Sequence, residues 1–401
     1  MPSTTPEYDV IIVGARCAGS PAAMLLARKG YRVLLVDKST FPSDIMSTHF
    51  IWQSGVARLK RWGLLEAVAA SNCPPVTRFT LDIGPFALTG SPPPIDGVSE
   101  GYAPRRKVID KILVDRAAAA GAEVREGFSV QEILMDGGRV TGIRGRARDG
   151  AMVTEHALLV IGADGMRSMV ARAVRAPEYN VIPPLACGYY SYWSGVDCPG
   201  GEIYVREGLF FVGFPTNDGL VCVVALRKVE QFPQYRTNIE GMYLETLEAH
   251  PGFAARVRAG KREERFVGTA DTQNFFRKPY GPGWALVGDA GYHKDPITAQ
   301  GITDAFRDVE LLVEAIEGGT EEAFAGYERR RNEAALPMYQ STCQRAALGP
   351  PPPEMVQLFN ALRSNQRETD RFFGTDAGTV PIPEFFAPEN IQRILSSSVQ
   401  G

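Results

Sequence analysis

The first 37 residues constrain the fold more than any other stretch of the chain. Residues 8–13 form an apolar run that predicts a buried strand, and residues 21–29 have the composition of a short helix. A second apolar run over residues 32–36 ends at Asp37. A strand, a tight turn, a helix and a second strand in this order begin a doubly wound α/β domain. The sequence therefore predicts a Rossmann-type unit at the start of the chain.

The turn after the first strand reads GARCAG over residues 14–19. In the dinucleotide fingerprint G-x-G-x-x-G, the three glycines allow a tight turn, close approach of the backbone to a diphosphate, and close helix–strand packing. Gly14 and Gly19 match the first and third positions, but Arg16 stands at the second. Asp37 can accept hydrogen bonds from an adenosine ribose, and the helix N-terminus offers N–H groups to a diphosphate. Arg16 either loosens the backbone approach or compensates by its charge.

The rest of the chain carries mixed helix and strand signals. Helical spacing covers residues 51–69 with a break at Gly63, and also residues 108–120, 239–259, and 300–347 with a break near residues 318–319. Residues 128–161 predict a meander, and residues 176–230 predict an antiparallel sheet. Four prolines at residues 350–353 precede a small helical extension.

Composition excludes several classes of protein. The chain has 401 residues, 44% of them hydrophobic and 22% charged, and a net charge of −3. These values predict a globular protein of about two to three domains without a general attraction to nucleic acid or anionic membranes. The basic runs at residues 105–107 and 329–331 are interpreted as solvated helix faces. Six cysteines without a CxxC pair argue against a zinc site and a disulfide scaffold, so no metal is expected.

The sequence also predicts where the protein is located. The first nine residues lack the features of a signal peptide, and no apolar run approaches the about 18 residues that span a bilayer. We therefore expect a cytoplasmic protein with reduced thiols and no integral membrane segment. Its oligomeric state is not readable from the sequence.

Two further glycine–aspartate segments lead to a family resemblance. Residues 162–168 read GADGMRS, and residues 288–302 begin with GDAG and end with DPITAQGI. Together with residues 14–19, these three segments, in this order, resemble the flavoproteins of the para-hydroxybenzoate hydroxylase superfamily, which also includes geranylgeranyl reductases and flavin-dependent halogenases. The similarity covers roughly residues 8–60, 104–172 and 283–312.

The resemblance implies an α/β architecture of the α+β two-domain type. A Rossmann-type FAD-binding domain would be assembled from residues 1–75, 104–175 and 276–345. An antiparallel β-sheet substrate domain, interleaved with it, would comprise residues 76–103 and 176–275. Residues 346–401 would form a C-terminal helical extension.

The resemblance also implies roles for individual residues. Arg106, which begins an R-x-x-I-D-x-x-L pattern, would lie along the FAD, Asp164 would support FAD and the nicotinamide cofactor, and Asp289 would hold a ribityl hydroxyl. The full set of implied cofactor-binding residues is Gly14, Ala15, Arg16, Gly19, Asp37, Lys38, Arg106, Asp164, Gly288, Asp289, Pro296, Gln300, Gly301 and Ile302. Independently, a helix that begins near Gln300 would direct its N-terminal dipole at the flavin and stabilise the anion formed on reduction.

The hypothesis for function is a monooxygenase. NADH or NADPH would reduce FAD, O2 would form a flavin hydroperoxide, and one oxygen atom would enter a small, aromatic or apolar organic substrate. The stretch at residues 210–215, FFVGFP, lacks both tryptophans of the halogenase pattern W-x-W-x-I-P and keeps only the Phe-Pro end of the reductase pattern Y-x-W-x-F-P. The alternatives are a reductase of C=C bonds, a halogenase, a non-catalytic FAD-binding protein and an NAD-only dehydrogenase.

The substrate pocket is predicted from fewer signals. His49 is a candidate acid, base or hydrogen-bonding group, with a structural histidine as the alternative, and His293 is a candidate at the flavin edge. The candidate pocket residues are Ser47, Thr48, Tyr190, Tyr192, Tyr204 and Phe211. Because the aromatic residues alternate with period two, each could equally belong to the core of a sheet.

Overall fold

The computed structural model describes residues 7–397. The strands in this range are β1 (Tyr8–Val13), β2 (Val33–Asp37), β3 (Pro75–Val76), β4 (Phe79–Asp82), β5 (Ala87–Gly90), β6 (Gly101–Tyr102), β7 (Glu123–Glu126), β8 (Ser129–Asp136), β9 (Arg139–Arg146), β10 (Met152–Gly162), β11 (Glu178–Ile182), β12 (Ala186–Ser194), β13 (Gly201–Arg206), β14 (Leu209–Pro215), β15 (Val221–Lys228), β16 (Lys261–Arg262), β17 (Val267–Thr269), β18 (Asn274–Arg277), β19 (Tyr280–Gly281), β20 (Trp284–Leu286) and β21 (Tyr292–His293).

The helices are α1 (Gly19–Arg28), α2 (Gln53–Trp62), α3 (Leu65–Ala69), α4 (Arg106–Ala119), α5 (Met169–Ala173), α6 (Phe232–Thr237), α7 (Ile239–Leu247), α8 (Pro251–Ala259), α9 (Gly301–Gly318), α10 (Glu321–Ala346), α11 (Pro353–Leu362), α12 (Gln366–Ala377), α13 (Ile382–Phe385) and α14 (Pro388–Ser397). The mixed α/β fold predicted from the sequence is confirmed.

The first sheet is mainly parallel and has the order β7-β2-β1-β10-β20-β19. Strand β1 pairs in parallel with β2 and β10, and β10 pairs in parallel with β20. The apolar faces of β1 and β2 are buried on both sides, because α1, α4 and α9 cover one face and the β8–β9 hairpin covers the other. This double covering explains why the first two strands appear in the sequence as continuous apolar runs.

The helix boundaries agree with the sequence in most places. Helix α2 ends at Gly63, which adopts a left-handed φ of 76°, and α9 begins at Gly301, directly after Gln300. The helical stretch predicted over residues 239–259 consists of two helices, α7 and α8. Pro251 starts the separate helix α8, because it has no N–H to continue the hydrogen bonds of α7.

The second sheet is mainly antiparallel and has the order β16-β12-β15-β14-β13-β4-β5. Its side chains alternate between two faces. Tyr189, Phe211 and Val223 pack under α6, α7 and α8. Tyr190 and Val224 belong to the opposite face, which packs against the C-terminal helices α11–α14. The C-terminal extension therefore covers one face of the second sheet.

The interpretation of the basic runs as solvated helix faces is wrong for two residues. Arg105 is 2% exposed and pairs with Asp44 and Glu264. Arg331 is 1% exposed and donates to the backbone oxygens of Gly291 and Arg277. Buried ion pairs and carbonyl acceptors solvate these guanidinium groups in place of water.

Two further properties concern the described part of the chain. Across residues 7–397, none of the helices combines the length and apolar character needed to cross a bilayer. All six cysteines are buried and free.

Candidate active site

Two adjoining cavities form the candidate site. The first cavity has a volume of about 710 Å³ and lies at the carboxyl ends of β1, β2, β10 and β20. In open α/β sheets, ligands bind outside the carboxyl ends of the strands, where the chain connections diverge. The turns after β1, β10 and β20 are the three motif segments found in the sequence, so the fold brings all three to one cavity.

The turn after β1 has the geometry of a diphosphate-binding turn. Gly14 has a φ of +104°, and a Cβ there would lie 2.4 Å from the carbonyl oxygen of Ala163. Asp37 lines the first cavity, and its carboxylate accepts hydrogen bonds from the N–H of Ala15 at 2.7 Å and of Ser39 at 2.8 Å. Each carboxylate oxygen keeps a second lone pair. Asp37 is therefore oriented by the backbone and can still accept hydrogen bonds from a ligand.

Arg16 forms a bridge across this end of the first cavity. Its guanidinium pairs with Asp110 at 2.5 Å and donates to the hydroxyl of Ser43 at 3.0 Å. Asp110 is fully buried and also pairs with Arg106 at 3.1 Å. Two guanidinium groups thus share one carboxylate, so this cluster of three side chains carries a net positive charge. Arg16 also fastens the segment that contains Ser43 to the first turn.

Asp164 presents an unpartnered acceptor at the turn after β10. One of its oxygens accepts from the N–H groups of Met169 at 2.6 Å and Val170 at 3.3 Å. The other oxygen, Oδ1, is buried without a hydrogen-bond partner in residues 7–397. Burial raises the pKa of this carboxyl above its usual value. Asp164 lines the first cavity, so a bound group that donates a hydrogen bond would satisfy it.

The N-terminus of α9 closes the third side of the first cavity. Gly301 and Ile302 line it together with Asp289 and Gly288. A Cβ at Gly288 would lie 2.8 Å from the Cβ of Ala18, which leaves room only for glycine. The 18-residue helix α9 directs unpaired N–H groups and the positive end of its dipole to this end of the cavity. The tight turns, the paired guanidinium groups, the open acceptor at Asp164 and this helix terminus fit FAD.

The segment between β2 and α2 is fastened to the second sheet. The N–H of Ser47 donates to the hydroxyl of Tyr190 at 3.1 Å, and Nε2 of His49 lies 2.9 Å from the hydroxyl of Tyr192. The guanidinium of Arg105 stacks on the Tyr192 ring at 3.8 Å. Burial and the charge of Arg105 lower the pKa of His49 to about 3, so this imidazole is neutral at physiological pH.

The second predicted histidine, His293, is part of the short strand β21. Nδ1 of His293 is hydrogen-bonded to the carbonyl oxygen of Gln273, and its ring stacks on Phe275 with centroids 5.9 Å apart. Both His49 and His293 line the first cavity. Their assignment as catalytic groups stays a prediction.

Asp295, which follows His293, is expected to make stability depend on pH. Burial raises its pKa to about 6 from the usual 3.8, although it accepts hydrogen bonds from Ile297 and Thr272. The folded protein therefore binds this proton more tightly than the unfolded chain does. The resulting stability is present below about pH 4 and is lost as pH rises to about 6, and the loss is about 3 kcal/mol.

Asp295→Asn should remove this dependence, because the amide oxygen can still accept from Ile297 but carries no charge. The check is the free energy of unfolding in urea at pH values from 4 to 7 for both proteins. We expect the stability of the variant relative to the original chain to rise by about 3 kcal/mol across this interval. A difference between the two proteins that does not change with pH would rule out this role of Asp295.

The second cavity has a volume of about 880 Å³ and lies between the second sheet and the C-terminal helices. Its walls include Phe210, Val212 and Phe214 of β14, and Phe359 and Phe372 of the extension. Six residues line both cavities and define the junction between them: Thr48, Phe50, Val224, Leu226, Pro296 and Ala299. A ligand in the second cavity would therefore lie next to a ligand in the first.

The structure brings most of the predicted residues to these cavities. Gly14, Arg16, Asp37, Lys38, Arg106, Asp164, Gly288, Asp289, Pro296, Gly301, Ile302, Ser47, Thr48 and Tyr190 line the first cavity. Ala15, Gly19 and Gln300 are buried behind it, where Ala15 orients Asp37 and the Gln300 amide donates to the backbone oxygen of Asp376 at 2.7 Å.

The prediction that Tyr204 and Phe211 line a substrate cavity is wrong. Their rings stack on each other with centroids 4.7 Å apart and pack against Phe253 of α8, on the far face of the second sheet. Tyr192 lines neither cavity and instead holds His49. The strands alternate as expected, but the sequence does not reveal which set of side chains faces the ligand.

Sequence reasoning missed two groups of residues. Arg105, which stacks on Tyr192, was interpreted as part of a solvated run. The aromatic residues of the C-terminal extension, Phe359, Phe372 and Phe373, were not connected to a cavity, because they come from two different helices and no motif relates them.

Comparison with known proteins agrees with this geometry. Residues 7–181 match the protein family described as FAD binding domain. A digeranylgeranylglycerophospholipid reductase of Methanopyrus kandleri is 29% identical over 310 residues, which cover 74% of this chain and 73% of the reductase.

Two solved structures show the same fold. The myxobacterial chondrochloren halogenase CndH aligns with a TM-score of 0.76 at 21% identity, over 98% of this chain and 97% of that chain. The probable FAD-dependent monooxygenase pqsL of Pseudomonas aeruginosa aligns with a TM-score of 0.69 at 19% identity, over 92% of this chain and 98% of that chain. At these identities the likeness concerns the fold alone.

The cavity, its three turns and the family match define a flavoprotein enzyme: the chain is an FAD-dependent oxidoreductase. Residues 7–181 carry the FAD binding domain, and about three quarters of the chain is similar to digeranylgeranylglycerophospholipid reductases.

Arg16 is expected to contribute to FAD affinity. Arg16→Met removes one of the two guanidinium groups on Asp110 and releases Ser43, so the dissociation constant of FAD should rise about tenfold. Arg16→Gly restores the fingerprint glycine but loses the charge, and it should also weaken binding. The quenching of FAD fluorescence on titration with apoprotein measures both, and Arg329→Met on the exposed face of α10 serves as the control. An Arg16→Gly variant that binds FAD more tightly than the original chain would contradict this role.

Proposed function

We propose that the enzyme is a monooxygenase that consumes NADH or NADPH and O2 and inserts one oxygen atom into an organic substrate held in the second cavity. In balance, NAD(P)H, a proton, O2 and the substrate R–H give NAD(P)⁺, R–OH and water. Bound FAD would supply the redox chemistry between NAD(P)H, oxygen and the substrate. The chain's own residues would bind, orient and shield these reactants.

The observation that carries this proposal is the chemistry of the junction between the two cavities. None of its six residues has an ionisable side chain, and the hydroxyl of Thr48 is its one polar side-chain group. Reduction of a C=C bond requires a proton donor beside the carbon that does not receive hydride. Insertion of oxygen into a C–H bond does not require a protein acid at that point. The apolar junction therefore supports oxygen insertion over C=C reduction.

Several residues have defined tasks under this proposal. The N-terminus of α9 would stabilise negative charge that develops at the flavin ring. Phe50, Val224 and Leu226 would exclude water from the contact between flavin and substrate. His49, neutral and bonded to Tyr192, would hold the segment with Thr48 in position rather than deliver a proton. The FAD-binding role would be shared by the three chain segments that build the first sheet.

A C=C reductase is the second candidate. The most specific observation in its favour is the 29% identity to curated proteins named as digeranylgeranylglycerophospholipid reductases. The large apolar volume of the second cavity also suits a hydrocarbon substrate. The halogenase alternative has less support, because the residues of β14 that line the second cavity are Phe210, Val212 and Phe214, without either tryptophan of the halogenase pattern.

These candidates are separated by an assay of NADH and NADPH consumption. The assay uses a panel of compounds and is run with and without O2. We expect at least one compound to stimulate consumption only when O2 is present, and its product to gain the mass of one oxygen. Equal stimulation without O2, with a product that gains two hydrogens, would replace the monooxygenase with the reductase. A protein that binds FAD but responds to no compound would argue for a non-catalytic role.

A further inference from the structure

We infer that the second cavity takes a neutral amphiphile, with an apolar body and hydroxyl or carbonyl groups along one edge, and disfavours substrates with an anionic head group. The inference rests on the proposed function in one respect, namely that the second cavity holds the substrate. Two observations support it: one wall of the cavity is apolar and another is polar, and the unpaired charges at its rim are negative.

The first wall is the face of the second sheet. Leu81, Ile203, Phe210, Val212 and Phe214 contribute side chains from three adjacent strands. These side chains offer no hydrogen bond. A substrate that buries an apolar surface against them gains binding free energy in proportion to the area removed from water.

The second wall is one face of helix α10. Gln340, Ser341, Gln344 and Arg345 line the cavity at spacings of three and four residues, so they lie on one side of the helix. The side chains of Gln340, Ser341 and Gln344 make no hydrogen bond to another residue of the described chain. Amide and hydroxyl groups in this position are free to bind polar groups along one edge of a substrate. Gln340 and Gln344 are exposed and Ser341 is half-buried, so a hydrocarbon that displaced water from them would make none of the hydrogen bonds that a polar edge can make.

The charges at the cavity point to a neutral ligand. Both cationic side chains in its lining are already neutralised, because Arg206 pairs with Asp82 at 2.7 Å and Arg345 pairs with Asp376 at 2.8 Å. Glu207 and Glu354 also line the cavity, and within residues 7–397 neither has an ion-pair partner.

The unpaired charges at the rim are therefore both negative and would repel an anion. Asp376 also lines the cavity, and its Oδ1 is a further acceptor, buried without a hydrogen-bond partner in the described chain. This pattern does not favour a phosphate group, so the substrate class differs from the phospholipid in the names of the related reductases.

Three ligands with the same ring system test the inference: phenanthrene, 9-phenanthrol and phenanthrene-9-carboxylate. Their dissociation constants are measured with the FAD-loaded protein at pH 7 in the absence of NAD(P)H, from the change in flavin absorbance. We expect 9-phenanthrol to bind about fivefold more tightly than phenanthrene because of the hydrogen bonds, and the carboxylate to bind about tenfold more weakly than 9-phenanthrol.

Two double variants assign these differences to residues. Gln340→Leu with Gln344→Leu should reduce the preference for 9-phenanthrol over phenanthrene to below about twofold, and Glu207→Gln with Glu354→Gln should strengthen carboxylate binding about tenfold. Gln392→Leu, on the exposed face of α14 outside both cavities, is the matched control and should change none of the three constants.

The inference is overturned if the carboxylate binds as tightly as 9-phenanthrol, if phenanthrene matches 9-phenanthrol in the original chain, or if none of the three binds. Because these measurements need no turnover, they are independent of the monooxygenase proposal. If the oxygen-dependent assay fails but the three ligands bind in the expected order, the proposed reaction is wrong and the proposed substrate class still stands.

Discussion

Replacement of Gly19 by alanine is expected to abolish stable FAD binding and to lower the free energy of unfolding by about 3 kcal/mol or more. A Cβ at this position would lie 1.7 Å from the backbone oxygen of Gly14 and 3.2 Å from the Cβ of Ala163. The first of these neighbours is backbone in the tight turn after β1, so relief requires α1 to move away from that turn. The N-terminus of α1 would then no longer face the first cavity.

Flavin absorbance per chain measures the loss of FAD binding. Unfolding in urea measures the loss of stability. Gly326→Ala in α10 is the matched control, because the nearest atom to its added Cβ is the flexible end of Arg329 at 3.8 Å. That control should retain full flavin and gain up to about 1 kcal/mol of stability from the higher helix propensity of alanine. A Gly19→Ala protein with the flavin content of the control would show that α1 does not need this close approach.

Replacement of Val212 by tryptophan should lower kcat/KM for any stimulating substrate about 100-fold while FAD remains bound. Val212 lines the second cavity but not the first, and it pairs across the sheet with the junction residue Val224. An indole at this position would fill the space beside the junction, so a substrate could not reach the flavin in a productive orientation.

Val181→Trp provides the matched control, because Val181 is 55% exposed on β11 and lies outside both cavities. We compare kcat/KM of the two variants from steady-state rates, and flavin content shows whether each variant is folded. If Val212→Trp left kcat/KM unchanged, the substrate would have to reach the flavin by another route, and the assignment of the second cavity would be wrong.

The first sheet and its ligand could be predicted because local rules determine both. Turn glycines, a carboxylate at the end of a parallel strand and a helix start are encoded within a few residues, as Gly14, Asp37 and Gly301 illustrate. These features act through backbone geometry, which depends little on distant parts of the chain. The α/β fold and FAD as cofactor are confirmed for the same reason.

The substrate side depends on contacts that are distant in sequence. Tyr190 and Phe211 both lie on strands with alternating aromatic residues, but only Tyr190 faces the first cavity, and the choice follows from how helices α6–α8 and the C-terminal extension cover the two faces. Arg105 was misinterpreted because its partners, Asp44 and Glu264, come from two other parts of the chain. Periodicity identifies a face, and tertiary packing decides what the face contacts.

The structure explains how Arg16 can replace the second glycine of the dinucleotide fingerprint. The sequence left open whether its charge compensates for the missing glycine. In the structure the side chain turns to Asp110 and Ser43, so its charge remains on the wall of the first cavity while the backbone keeps the tight turn at Gly14. This arrangement supports the compensating role.

The proposed reaction inserts oxygen into an organic substrate where the two cavities adjoin. The most direct test is turnover under ¹⁸O2 with NADPH or NADH and the compound that most stimulates oxidation, followed by mass analysis of the product. We expect one ¹⁸O atom in each product molecule. A product that contains no ¹⁸O and has gained two hydrogens would show that the enzyme is a reductase instead.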